Sequence, residues 1–248
     1  IHDPKQSPDS SVGLARRPSN PMESPMSDLA KLEALDFAAL LCSRVCHDII
    51  SPVGAITNGL EVLDEENNEE MKAFAFDLIR KSARTASSKL QFARLAFGAA
   101  GSVGAEVDLG DAETVAKRYM ESEKADIDWQ ATRRLLPKNQ VKLLLNLLLI
   151  SLQAIPRGGR GVVRVEGDLP FPVPRIEATG AASRIPPRVA GLLAGDLGDP
   201  VDAHAIQPYY AGALAREAGL VIEISKDGDT VIFEAKAKAS ALPVEPTE

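Results

Sequence analysis

The sequence predicts an α+β protein in which an antiparallel helical hairpin, paired with a second copy into a four-helix bundle, precedes an α/β sandwich. Three observations carry this reading. Leu32, Leu35, Ala39, Cys42, Cys46, Ile49, Val53, Ile56, Leu60 and Leu63 follow one another in alternating steps of three and four, the spacing of a narrow apolar seam on one long helix. Past Gly101 that pattern gives way to short β-branched runs alternating with helical stretches, the signature of a layered α/β unit. Aromatic residues make up only 4% of the chain, with Trp129 the sole tryptophan, too few for an all-β sandwich.

Residues 1–27 are rich in proline and serine and lack apolar periodicity, so they read as a disordered tail. Because the chain starts at Ile1 and its first methionines follow at Met22 and Met26, part of that tail reads as sequence added for expression. The hairpin is assigned to residues 28–98. Ser27 or Asp28 caps its first helix, and the acidic run from Asp64 to Glu70 forms the solvated turn that opens the second. The second helix carries Phe74, Leu78, Ile79, Ala86, Leu90, Ala93 and Phe97 and stops at Gly98-Ala99-Ala100-Gly101. Two helices with so narrow a seam leave apolar surface that a second copy would bury, hence the expected homodimer.

The sandwich is assigned to residues 105–235. A helix over 109–123 leads to a strand near Trp129, and Pro137 starts a strongly apolar helix over 138–154. Strands follow at 162–166 and 175–178, then helices at 186–197 and 208–218. A final hairpin pairs Leu220–Ile224 with Thr230–Glu234 about Gly228. Residues 236–248 read as a flexible tail.

With 28 Lys+Arg against 35 Asp+Glu, the net charge of −7 argues against general nucleic-acid binding. The apolar run from Leu143 to Ile150, interrupted by Asn146, is far too short to span a bilayer. No secretory signal opens the chain, and two cysteines cannot build a disulfide framework, so a reducing cytoplasmic setting is expected. Cys42 and Cys46 lack metal-ligand spacing and read as small buried hydrophobes on the seam.

On the first helix, His47 is the one candidate nucleophile with organised surroundings. It lies about 100° around the helix from Cys46. Its neighbours at helical spacing are Arg44, Ser51, Gly54 and Asn58, a small and polar strip that would let a partner approach the ring closely. Asp48 can bond one imidazole nitrogen, fixing the tautomer and leaving the other to attack. The stretch Cys46-His47-Asp48-Ile49-Ile50-Ser51-Pro52-Val53-Gly54-Ala55-Ile56 resembles the phosphoacceptor box of sensor histidine kinases.

The second half resembles the ATP-binding domain of those kinases in degenerate form. The run from Asn146 to Ala154 looks like its asparagine box, but Ile150 stands where the family's magnesium-holding asparagine falls, and isoleucine cannot coordinate a hard cation. Ala178 replaces the acid of the adenine-reading motif, and Gly212 is the only glycine left in the expected phosphate lid.

A phosphoacceptor hairpin joined to a degenerate histidine-kinase-type α/β sandwich resembles the ChpT-type histidine phosphotransferases of alphaproteobacterial phosphorelays, over about residues 28–235. The resemblance implies a dimeric shuttle that takes phosphate from the receiver domain of a hybrid kinase and passes it to response-regulator receivers. It implies no bound cofactor, magnesium arriving with the receiver's acidic pocket. His47 and Asp48 would carry the chemistry, and Arg44, Ser51, Gly54 and Asn58 would face the partner. Arg80 and Arg84, in the basic stretch of the second helix, would steer an acidic receiver. Two alternatives stand beside this reading: an ATP-dependent sensor kinase, and a non-catalytic scaffold that binds receivers.

Overall fold

The computed structural model describes residues 32–65, 67–98, 105–167, 172–197 and 202–238. The expected N-terminal tail, most of the glycine linker and the last ten residues lie outside that set. Helix α1 (Ala34–Glu65) and helix α2 (Glu69–Ala96) form the antiparallel hairpin. Asn68 caps α2, its side-chain oxygen accepting the Glu70 N–H at 2.8 Å, while Glu69 and Glu70 put negative charge in the first turn.

The face by which α1 meets α2 differs from the expected seam. Its buried residues are Pro52 and Gly59, neither of them a seam position. At Gly59 a Cβ would fall 2.6 Å from Ile79 Cγ1 and 3.3 Å from the Ala75 carbonyl, so the helices approach as closely as only glycine allows. Seam residues Leu35, Ala39, Cys42, Cys46, Val53 and Leu60 are exposed in the single chain, so the burial expected of the two cysteines is not made by the hairpin alone and would need the second copy. Helix α1 also starts later than its periodicity suggests, since Leu32 and Glu33 precede it. Spacing alone cannot tell a helical residue from the extended residue before it.

By composition α1 contains an 18-residue stretch of mean hydropathy 1.3, enough to cross a membrane by length and apolarity. Its packing against α2 and the charged residues described below account for it as a hairpin helix.

Strand β1 (Glu106–Asp108), helix α3 (Leu109–Met120), strand β2 (Ala125–Trp129) and strand β3 (Leu135–Pro137) follow, with β1 and β3 paired antiparallel. Asp108 caps α3 by accepting the Gly110 N–H at 2.8 Å, and Arg133 holds the same carboxylate. Helix α4 (Lys138–Leu152) is buried from Gln140 to Ser151 without a break. Such a helix cannot be amphipathic, because it is covered all round: by the inner sheet face on one side and by α2, α3 and α6 on others.

The main sheet comprises β2, β4 (Gly159–Glu166), β5 (Val173–Thr179), β6 (Leu220–Asp227) and β7 (Thr230–Ala237), in the order β2-β4-β5-β7-β6. Only the β2–β4 pair is parallel. Val163, Ile176, Ala178, Val231 and Phe233 point inward and are fully buried. The opposite face carries ion pairs joining Arg164 to Glu177, Arg175 to Glu177 and Glu234, and Lys236 to Glu234 and Glu223. Pairs of this exposed kind contribute at most about 1 kcal/mol each, but they keep the face wet. Strand β7 reaches Ala237, which still pairs with Leu220, three residues past the expected end of the last strand at Glu234. Helices α5 (Val189–Ala194) and α6 (Ile206–Glu217) complete the layer over the inner face.

Candidate functional site

His47 lies near the middle of α1 with its side chain 60% exposed, and its Nδ1 is 3.5 Å from Asp48 Oδ1. That oxygen also receives Arg44 Nη1 at 2.8 Å, one helical turn back. The Arg44 and Asp48 side chains are only 13% and 19% exposed, so the acid beside the imidazole is clamped by a cation instead of turning freely in water. Tyr119 of α3 lies in the same electrostatic neighbourhood. Its hydroxyl is pushed well above the ordinary phenol range by burial first, then by the carboxylates of Glu123 and Asp48.

The sheet domain reaches this site through α6. Arg44 Nη2 approaches Gln207 Oε1 at 3.5 Å, and Gln207, 1% exposed, turns its amide toward Asn146 Oδ1 at 3.4 Å. Asn146 is fully buried and donates to the carbonyls of Ala96 at 3.0 Å and Lys142 at 2.9 Å. The asparagine of the motif in α4 thus ties the C-terminal end of α2 to the sheet domain. Buried amides in such a chain stay because leaving one unpaired costs about 1–3 kcal/mol. Just ahead of α6, the His204 ring stands edge-on to His47, with centroids 5.1 Å apart and planes at 77°. Around the α1 N-terminus, Phe37 packs on Tyr209 and Tyr210, and Phe97 meets Tyr210 from α2.

The expected site residues separate into three groups. Ser51, Gly54 and Asn58 are exposed along α1, and a Cβ on Gly54 would meet nothing within 4 Å, so the strip near His47 is open. Arg44 departs from the expectation: its guanidinium turns inward to Asp48 and Gln207 instead of presenting itself on that strip, because its long side chain reaches a half-buried carboxylate. Arg80 and Arg84 are not brought to the α1 strip. They line a groove between α2 and α3 with Lys81, Ser88, Arg118 and Glu121, and Arg80 pairs with Asp77 at 3.0 Å.

Ile150 and Ala178 are both fully buried in the core, and Gly212 packs inside the α5–α6 contact. Sequence reasoning missed His204 and Gln207. Neither carries a local motif, and only the docking of α6 on α1 brings them to His47.

Residues 109–230 match the profile of the histidine phosphotransferase C-terminal domain. The protein phosphotransferase ChpT of Brucella abortus (strain 2308) is 52% identical over 212 residues, covering 85% of this chain and all of that one. A solved structure of a bacterial phosphotransferase superposes with a TM-score of 0.78 at 51% identity, covering 85% of this chain and 100% of the other. With that identity across a relative's whole length, the chain belongs to the ChpT family of histidine phosphotransferases.

Proposed function

We propose that this phosphorelay phosphotransferase carries phosphate on His47, from the receiver domain of a hybrid kinase to the receivers of response regulators, without using nucleotide itself. The single observation that carries the reading is the exposed His47 ring on an open strip of α1, its Nδ1 side facing an Asp48 that Arg44 holds in place. The Nδ1 proton belongs beside that carboxylate, which leaves the Nε2 lone pair as nucleophile.

In the loading step Nε2 attacks the phosphorus of an aspartyl phosphate. The N–P bond forms as the P–O bond breaks, and the receiver carboxylate leaves with the electron pair. The phosphoimidazole keeps its Nδ1 proton, and Asp48 offsets the resulting positive charge. In the unloading step a second receiver's carboxylate oxygen attacks phosphorus and the electron pair returns to Nε2. Magnesium is supplied by the receiver, and the cytoplasm is the compartment that fits such partners. Ser51, Gly54 and Asn58 are the docking strip, and Arg80 and Arg84 attract the receiver from the neighbouring groove.

The test is incubation of the chain first with radiolabelled Mg-ATP and then with a receiver domain loaded by labelled acetyl phosphate. Label is expected on the chain only from the receiver, because core-buried Ile150 and Ala178 offer no magnesium or adenine contact. Label taken directly from ATP would make the chain a kinase, and label from neither source would leave a scaffold.

Dimerisation through the hairpin belongs to the same proposal. It is supported by the apolar face that α1 and α2 leave uncovered, including Val53, Leu60 at 50% exposure and Phe74 at 64%. Light scattering of the wild type at micromolar concentration is expected to give twice the 26.4 kDa chain mass. Leu60→Asp is expected to give the monomer with its helicity intact, since that side chain makes little of the intrachain core. A monomeric wild type, or an unchanged dimer in Leu60→Asp, would remove the bundle from the proposal.

A further inference from the structure

His204 has no part in the reaction just described, yet its ring is packed on the nucleophile. Its backbone is firmly held: Asp202 Oδ1 accepts N–H bonds from His204 at 2.9 Å and Ala205 at 2.8 Å. Those donors, Ala205 first, keep the Asp202 carboxyl below its usual range. Immediately after this turn Ala205, Ile206 and Gln207 are buried, and Gln207 is the residue that reaches Arg44. One short segment of the sheet domain therefore touches the nucleophile's ring with His204 and the clamp on its acid with Gln207.

His47 needs such a contact. Its ring is mostly in solvent, and its Nδ1 meets Asp48 only at 3.5 Å, longer than a well-formed hydrogen bond. That contact alone does not stop the ring from turning about its Cβ–Cγ bond, a torsion with broad wells. A T-shaped ring partner at 5.1 Å restricts that rotation, so less of it must be frozen when phosphorus arrives in line.

We propose that His204 is a positioning residue for phosphotransfer. Its ring, anchored by the Asp202 turn, fixes the orientation of the His47 imidazole, so the domain that has lost its nucleotide contacts serves instead to hold the nucleophile. The inference rests on His47 being the phosphoacceptor, and its test has an arm that does not depend on transfer.

The full chain contains three histidines, so selective 13C labelling of their rings gives resolved signals for wild type, His204→Ala and His204→Phe. Ring-carbon relaxation is expected to report an ordered His47 in the wild type, a looser one in His204→Ala, and order restored in His204→Phe, which keeps the ring but cannot carry a proton. In single-turnover transfer from an acetyl-phosphate-loaded receiver, His204→Ala is expected to slow the maximal rate about tenfold. The half-saturating receiver concentration should be unchanged, and His204→Phe should recover most of the rate. Because the His204 side chain is exposed, both variants are expected to melt with the wild type.

An unaltered His47 ring in His204→Ala overturns the proposal, whether or not transfer is seen. So does a slow His204→Phe, which would make His204 a proton or charge carrier, or a raised half-saturation at full maximal rate, which would make it a receiver contact. If no chain variant, wild type included, takes phosphate from the receiver, it is the shuttle reading that fails, and the relaxation result still decides whether His204 restrains the ring.

Discussion

His47→Gln is expected to fold and dimerise like the wild type while losing phosphate uptake from a loaded receiver by about 10³-fold or more, because the substitution removes the nucleophile itself. The side chain is 60% exposed, so its replacement takes little from the core, and circular dichroism with light scattering should register no change. Asp48→Asn supplies the graded companion. It keeps the shape beside Nδ1 but removes the charge that meets the phosphoimidazole, and transfer should slow about 10²-fold without stopping. It also takes the negative charge from the 2.8 Å partner of Arg44, leaving a half-buried cation without its counter-charge, so a loss of about 1–3 kcal/mol in stability should accompany the kinetic effect. The contrast between a stable inactive variant and a slower, less stable one separates nucleophile from orienting acid. Acid-labile phosphate that persisted in His47→Gln would mean that the nucleophile lies elsewhere.

The legible parts of this molecule were those in which a single element carries its own pattern. The helical hairpin, the strongly apolar α4 and the β6–β7 hairpin each announce themselves in periodicity, composition or turn chemistry. His47 was legible because its meaningful neighbours, Asp48 and the small strip at Ser51, Gly54 and Asn58, lie on its own helix. The heptad template failed where the α1–α2 contact is made by small residues. It weights large aliphatics, whereas the helices come close at Gly59, and the other buried residue of α1 is Pro52. Arg44 shows a second limit: helical spacing gives the direction of a Cβ, but a guanidinium several bonds away can turn to a half-buried carboxylate. His204 and Gln207 were beyond the reach of any local reading, since their side chains meet residues far away in sequence, His47, Arg44 and Asn146, and their meaning depends on where α6 docks. The pairing of β1 with β3, three residues on each strand, left too short a pattern to detect.

Gly212 raises a question that sequence alone leaves open, whether the last glycine of the expected phosphate lid is kept for a ligand or for packing. In the fold it lies inside α6 against α5, and a Cβ there would sit 2.0 Å from the Leu193 carbonyl oxygen and 2.9 Å from the Leu193 Cα. The obstructing atoms are backbone, so no rotamer change can relieve the clash, and the two helices would have to separate over a core that includes Leu193, Ala211 and Leu214. Gly212→Ala is therefore expected to cost about 3 kcal/mol, at the upper end of overpacking effects, which lowers the melting temperature by roughly 6–12 °C for a chain of this size. Gly54→Ala is the matched control. A Cβ there meets nothing within 4 Å, so better helix propensity should raise stability by about 0.5–1 kcal/mol, while a methyl group on the strip beside His47 should weaken receiver docking. If Gly212→Ala instead melted with the wild type, the close approach of α5 and α6 would not be what constrains that position. If its only defect were a lost response to Mg-ATP, the glycine would be a working remnant of the phosphate lid, and the case against nucleotide binding would have to be rebuilt without it.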